Sequence, residues 1–548
     1  MVWDWVIIGS GFGGSVSALR LAQKGYSVLV LEKGGRWAQE DFPRSNWNLK
    51  RWFWWPALGF RGFFKMTFLR HITALSGVGV GGGSLVYANT LPTPAEGFFR
   101  APGWGHLADW RVELDPHYAT ARRMLGSTDN PMDTAPDRAL RAIAGRMGRE
   151  GDFSRAPVGV YFGDSGVTVP DPYHRGEGPD RTGCTFCGGC MTGCRYGAKN
   201  TLDKNYLWLA ERLGVTVLPD TEVTWVRLLR KEEGEPTRGQ GARYAVTARE
   251  RLGTFRTVER TYQARNVVFS GGTLGTVDLL LRLRKSHAGL PDLSGRVGDR
   301  VRTNSEVLMG VTTQRRELDL SEGVVITSIF RTDDQSYVEP VRFSPGSGFF
   351  RLLATPHAPG KTLFRRLVSA ATRILRAPVR SLRAFLVPDW ARHTTILLYM
   401  RTQEGYLRLT SGRGFFSWIR PVLSSAEGDG PVPTASIPEA TELGDAFAKE
   451  VDGYVGSILT ETLFGIPTTA HILGGACMGA AKEDGVIDHR HRVFGYDGLY
   501  VIDGSAVSAN PGVNPSLTIT ALSERAMSFI PGKDPSDEPS PKGREEGE

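Results

Sequence analysis

The sequence predicts an α/β domain built on a parallel sheet and assembled from separated segments, joined to an α+β domain with a largely antiparallel sheet. Three observations carry that expectation: an apolar run that passes through a Gly-rich turn into a helical pattern at the N terminus, a second Gly-rich segment well downstream, and further strand-like runs ending in glycine near Phe269 and Ile502. A chain of 548 residues exceeds what a single hydrophobic core usually serves, which agrees with two domains.

Trp5-Val6-Ile7-Ile8 is a short apolar run of the kind that forms a buried parallel strand, and it enters Gly9-Ser10-Gly11-Phe12-Gly13-Gly14 before a helical pattern at Ala18 to Ala22. In such a turn Gly9 permits the tight bend, Gly11 lets the backbone approach a pyrophosphate, and Gly14 lets helix and strand pack closely, with helix N–H groups facing the anion. A second strand, Tyr26 to Leu31, ends in Glu32, whose carboxylate can accept from a ribose hydroxyl and would repel a 2'-phosphate. Strand, turn, helix, strand and acid in this order read as a dinucleotide site, against the plainer reading of a Gly-rich turn without a ligand. The segment Gly77 to Tyr87 concentrates glycine at Gly79, Gly82 and Gly83 ahead of Ser84. So much backbone freedom costs entropy on folding, so it points to backbone lying against something bulky, and a flavin qualifies. Val78, Val80, Leu85 and Val86 make the segment too apolar for a linker.

Near the other end stand His471-Ile472-Leu473-Gly474-Gly475, Asp503-Gly504-Ser505 and Gly512-Val513-Asn514-Pro515. Together with the N-terminal turn, these segments resemble the glucose-methanol-choline (GMC) flavoprotein oxidoreductases, and their wording is most similar to the cholesterol oxidase-like branch. The resemblance implies an FAD-binding, Rossmann-like domain at 1–300 (with a Cys-rich insert at 181–197) and 468–530 and a substrate domain at 301–467; the stretch 531–548, rich in Pro, Gly, Lys, Asp and Glu, is expected from its composition to be a disordered tail. It implies non-covalent FAD, held by Gly9, Gly11, Gly14, Glu32, Gly79, Gly82, Gly83, Ser84, the backbone at Val223, Gly271, Asp503, Gly504, Asn514 and Pro515. The implied substrate is a bulky apolar alcohol, a sterol or related lipid, with oxygen or an electron carrier as acceptor. Between Val301 and Pro467, the runs Thr395 to Met400 and Gly405 to Leu409 read as strands of one sheet over the flavin.

Alcohol oxidation needs a polar group beside the flavin that holds the hydroxyl and takes its proton while hydride leaves the carbon. By resemblance His471 and Asn514 fill that place. The plainer readings are a satisfied buried histidine and an Asn-Pro turn. One departure stands out. The branch carries a Glu that moves a proton during steroid double-bond isomerisation, upstream of the strand matching Thr395 to Met400. No Glu lies between Phe364 and Thr402, where Asp389 is the nearest carboxylate, so the sequence predicts oxidation without isomerisation.

Four of the five cysteines stand at Cys184, Cys187, Cys190 and Cys194, a ferredoxin-type spacing on a Gly-rich turn, with Arg195 in place of the usual Pro. An iron–sulfur cluster is the favoured reading, ahead of zinc, whose usual spacing has two separated pairs, and of metal-free thiols or disulfides. A cluster would make the protein an FAD/iron–sulfur dehydrogenase or electron-transfer protein that passes electrons to a carrier, the alternative to an oxidase.

Two further stretches bear on how substrate arrives. Trp52 to Trp55 with Phe60, Phe63, Phe64 and Phe68 is an aromatic set that suits core or lid, and less well a membrane-contacting edge. Lys361 to Arg383 holds seven Lys or Arg and no acid. On a helical wheel Arg366, Arg373, Arg376 and Arg380 lie opposite Leu363, Leu367, Ala371 and Ile374, which predicts either a solvated basic face or docking on anionic lipid. The formal charge of +8 comes with no nucleic-acid-binding module. No run is long enough for a transmembrane helix and no cleavable leader is evident, so the expected location is cytoplasmic, at most peripheral to the inner membrane face.

Overall fold

The computed structural model describes residues 1–229, 241–253, 256–412 and 422–534. The predicted tail at 531–548 lies outside them except for its first residues, where the Lys533 ammonium reaches Asp4 at 2.8 Å.

The N-terminal pattern folds as its spacing dictates. Strand Val2–Ile8 runs into helix Phe12–Gln23 through the Gly9 turn, and strand Val28–Leu31 returns parallel beside it. All four residues of the second strand are buried, as befits a parallel strand covered on both faces. The sheet runs Thr216–Leu218, Val28–Leu31, Val2–Ile8, Thr257–Phe269, Tyr244–Arg251, Thr221–Leu228, and Leu499–Val501 adds to the end of Thr257–Phe269. That long strand serves two neighbourhoods. Its second half pairs parallel with Val2–Ile8 and Leu499–Val501, whereas its first half makes an antiparallel ladder with Tyr244–Arg251.

The second sheet is antiparallel at every ladder, in the order Ala354–Pro356, Gly453–Ile458, Val307–Thr313, Thr394–Arg401, Ser336–Val341, Ser328–Asp333, Phe153–Arg155. The two-residue period of a strand decides what each face meets. Val307, Met309, Val311, Leu397 and Tyr399 pack against helices Ala135–Arg146 and Pro438–Glu450, while Leu308, Gly310, Thr312, Ile396 and Leu398 point the other way and line a cavity between this sheet and the first domain.

The predicted strand at Thr395 to Met400 is a central member of this sheet. The one predicted at Gly405 to Leu409 is not: Leu407–Gly412 pairs with Val422–Glu427 in a separate hairpin, and its Leu407 and Leu409 are buried in the core of the first domain. The reason is local. Leu407 exchanges backbone hydrogen bonds with Val301, and Gly298, at φ +92°, lets the carbonyl of Leu409 approach so closely that a Cβ there would lie 2.2 Å from it. Trp52, Phe53, Phe63 and Phe64 of the aromatic stretch are core, with Trp52 stacked on Phe64 at 4.3 Å and Phe349 and Phe350 closing around them, whereas Trp55 is exposed.

Candidate active site

One cavity of about 970 Å³ runs from the N-terminal Gly turn to the antiparallel sheet. Of the predicted cofactor residues, Gly9, Gly11, Glu32, Gly82, Gly83, Val223, Gly271, Asp503, Gly504, Asn514 and Pro515 line it, and so does His471. Gly14, Gly79 and Ser84 stand behind its wall. A Cβ on Gly14 would lie 2.1 Å from the Gly9 carbonyl oxygen, which is the close helix–strand packing expected of it. Ser84 donates to the Gly81 carbonyl at 2.7 Å and accepts from the Leu202 N–H at 3.0 Å, so it shapes the second Gly-rich segment.

The two Gly-rich segments touch: a Cβ on Gly82 would lie 2.6 Å from Gly11 Cα. One carboxylate holds them in place. Glu32 accepts from Ser10 N–H (3.1 Å) and Oγ–H (2.8 Å), and from the N–H groups of Gly34 (2.9 Å) and Gly79 (3.3 Å). Asp503 does the same at the other end of the chain, taking Ser505 on one oxygen and Gly272 N–H and Thr276 Oγ–H on the other, which pins the Asp503 turn to the start of helix Gly272–Arg284.

An FAD fits what these residues offer. The first turn of helix Phe12–Gln23 has no side-chain cap, so its free N–H groups face the cavity as an anion site. Ideal Cβ atoms built on Gly11, Gly272 and Gly275 meet nothing within 4 Å, so at these points bare backbone borders open space. The end near His471 adds a buried acceptor without a partner, Asn514 Oδ1.

His471 and Asn514 are brought together as expected, with 3.5 Å between His471 Nε2 and Asn514 Nδ2. Two carboxylates that the sequence reading missed stand behind them. Glu306 accepts from His471 Nδ1 at 2.9 Å and from the Ala470 N–H at 3.0 Å, and also from Thr469 Oγ1. Glu339 accepts from Asn514 Nδ2 at 3.1 Å. Glu339 sits on strand Ser336–Val341 opposite Leu398, so the carboxylate sought within the 364–402 window comes from the neighbouring strand. Its sequence signal is an acid within a mostly apolar strand, all of it buried; Glu306 directly precedes strand Val307–Thr313, which is buried apart from Leu308 and Gly310. Neither carboxylate lines the cavity.

The electrostatics follow from this arrangement. Burial disfavours a charged His471 ring, yet the Glu306 carboxylate, through charge and hydrogen bond, and Glu339 beyond it hold its pKa above the ordinary histidine value. With Nδ1–H donated to Glu306, Nε2 is left as the basic nitrogen toward Asn514 and the cavity. Burial pushes the Glu339 carboxyl up to about 7, against the pull of the Asn514 amide and of His471.

The four cysteines line a separate small cavity of about 20 Å³, and Cys184 and Cys190 pack in one cluster with Leu398 and Val513. Among the described residues no group of three or more His, Cys, Asp or Glu side chains is placed to hold a metal ion, so the geometry supports neither the predicted iron–sulfur cluster nor the zinc alternative. Burial pushes the Cys190 thiol up to about 11, and Cys184 accepts from the Phe186 N–H at 3.4 Å.

The basic stretch folds into helices Leu363–Arg376 and Pro378–Leu386, broken at Ala377. The predicted basic face does not meet solvent as a set. Arg366 is buried, Arg373 is paired with Asp445 and Arg380 with Asp452. Among the described residues no helix is long and apolar enough to cross a membrane.

Comparison with known proteins agrees with this architecture. Residues 7–69 match the model of an NAD(P)-binding Rossmann-like domain, and residues 177–306 and 408–523 match the two GMC oxidoreductase models. The chain is 44% identical to a cholesterol oxidase of Acinetobacter baumannii, over 97% of this chain and 95% of that one, and 44% identical to a cholesterol oxidase of Mycobacterium tuberculosis, over 99% and 93%. A crystal structure of pyridoxine 4-oxidase from Mesorbium loti shares the fold at a TM-score of 0.59 and 15% identity, covering 96% of this chain and 99% of that one. This chain belongs to the GMC oxidoreductase family and is an FAD-dependent oxidoreductase of CH–OH groups.

Proposed function

We propose that the substrate is a sterol or similarly bulky apolar alcohol, and that oxygen is the acceptor. The observation that carries the substrate reading is the far part of the cavity, where Leu308, Ile326, Ile396, Leu398, Phe343 and Trp390 make an apolar slot ending at His471 and Asn514. A flat hydrocarbon body fits such walls, and His471 and Asn514 stand where its hydroxyl would meet them. The similarity to proteins named cholesterol oxidase supports both parts of the proposal.

Bound FAD supplies the hydride acceptor. His471 Nε2 takes the hydroxyl proton while Asn514 Oδ1 and Nδ2 orient the oxygen, and Glu306 fixes the ring and steadies its protonated form. Glu339 touches Asn514 rather than the cavity, so we propose that oxidation proceeds without steroid isomerisation. Anaerobic mixing with a sterol should bleach the flavin and yield the unrearranged ketone; a conjugated ketone absorbing in the near ultraviolet would assign proton transfer to Glu339.

Glu306 gives a pH prediction. The rate of flavin reduction falls on the acid side as His471 becomes protonated. Glu306→Gln removes the anion that favours the protonated ring, so the acid limb should move to lower pH, with a slower plateau because the ring is held less firmly. Rapid-mixing rates across pH test this, and an unmoved limb would separate Glu306 from the base.

The electron-carrier alternative depends on a cluster at Cys184, Cys187, Cys190 and Cys194. The four line one small cavity and Met191, between two of them, lines the flavin cavity, but among the described residues they are not placed to hold a metal ion. Iron and acid-labile sulfide in anaerobically purified protein would favour a carrier; their absence from flavin-loaded protein leaves oxygen.

A further inference from the structure

Helices Leu363–Arg376 and Pro378–Leu386 are turned the opposite way from an ordinary surface helix. Two of the arginines point inward: Arg366 donates to the carbonyls of Thr462 (2.8 Å), Gly360 (3.1 Å) and Leu463 (3.2 Å), and Arg373 grips both oxygens of Asp445 (2.9 and 3.0 Å), while the exposed Arg380 reaches Asp452 (2.8 Å). The apolar face is left outward. Phe364 is 75% and Leu375 80% exposed, and Leu367, Val379, Leu382 and Phe385 are exposed with them. A surface helix normally buries that stripe against its own protein, and a contiguous apolar patch of this kind marks an interaction site.

Two observations identify what covers it. The patch is rimmed by exposed Lys361, Arg365, Arg376 and Arg383, and no acid lies between Lys361 and Pro388, so its complement is anionic as well as apolar. It also adjoins the slot: Ser381, Ala384 and Phe385 of the second helix line the same cavity as His471. We propose that this helix pair is a monotopic docking surface for a lipid bilayer with anionic headgroups. Its apolar face sinks to the acyl boundary and opens the cavity directly to a membrane-borne alcohol. Geometry of this kind is that of interfacial amphipathic helices, whose binding combines buried apolar area with attraction to anionic lipid. The proposal rests on the reading of the substrate as an apolar alcohol.

Flotation of the flavin-loaded full chain with substrate-free vesicles of phosphatidylcholine containing phosphatidylglycerol tests it. The protein should float with these vesicles, less with phosphatidylcholine alone and less at high salt. Phe364→Asp with Leu375→Asp should weaken partitioning by at least about tenfold, since each replaces an apolar side chain of the docking face with a charge that the acyl boundary disfavours. Neither side chain lines the cavity, so flavin content and oxidation of a sterol delivered by cyclodextrin should be unchanged in that variant. Equal flotation of parent and variant would overturn the proposal. So would a parent that ignores vesicles but sediments as a dimer which the variant splits, because the face would then bind a second copy. Vesicle binding without oxidation of any sterol would remove the substrate reading and leave the docking surface standing. Oxidation of cyclodextrin-delivered sterol by protein that never floats would do the reverse.

Discussion

Gly11→Val should purify as folded protein that contains no FAD. The position is unusually clean for such a test, because Gly11 has an unstrained backbone (φ −72°, ψ −164°) and a Cβ there meets no protein atom within 4 Å. The valine therefore costs the fold little and occupies only the space above the uncapped helix N terminus, where a pyrophosphate would sit. Its neighbours are different. A Cβ on Gly13 would lie 1.7 Å from the Ile502 carbonyl oxygen, and Gly9 combines φ +100° with an approach of 2.4 Å to Ser270 O, so substitution there should lower stability before it touches cofactor binding. The yellow colour of bound flavin, measured together with thermal unfolding, separates the two cases. Normal flavin content in folded Gly11→Val protein would remove the anion site from this turn.

His471→Ala should keep the flavin and lose the chemistry. The ring touches Glu306 and Asn514 rather than the glycine turns, so its removal leaves the cofactor cradle intact. Loss of a positioned base slows the reaction by about a hundred-fold to ten-thousand-fold. Asn514→Ala should act in the same direction and also free Glu339, whose side-chain hydrogen bond among the described residues is to that amide. The measurement is the anaerobic rate of flavin reduction at saturating substrate. Rates within a small factor of the parent would take the proton transfer away from these residues.

What could be read in the sequence was local. The Gly9 turn, its flanking strands, Glu32 and the second Gly-rich segment were legible because a phosphate loop writes its requirements into adjacent positions. His471 and Asn514 were legible as motifs, although nothing in their spacing says that they meet. Glu306 and Glu339 were not, since both reach the site through strand pairing: Glu339 faces it only because Ser336–Val341 pairs with Thr394–Arg401 in a register that sets Glu339 against Leu398. The helix at Leu363–Arg376 shows a different limit. Its two faces were plain from periodicity, but which of them turns outward depends on Asp445 and on the carbonyls at Thr462 and Leu463, remote residues that draw the arginines in.

The strand Thr257–Phe269 has a consequence for biosynthesis. Its final residues need Leu499–Val501 as a neighbour, and helix Phe12–Gln23 needs helix Ser516–Ser528, to which Arg20 is tied through Glu524 at 2.7 Å. The nucleotide-binding half of the molecule thus waits for residues 499–528 to leave the ribosome. At usual elongation rates that delay is on the order of tens of seconds, during which a wholly apolar strand end stands without its partner. The nascent chain should therefore be a client of ribosome-associated chaperones, and a message truncated before codon 499 should yield an aggregate rather than a stable flavin domain.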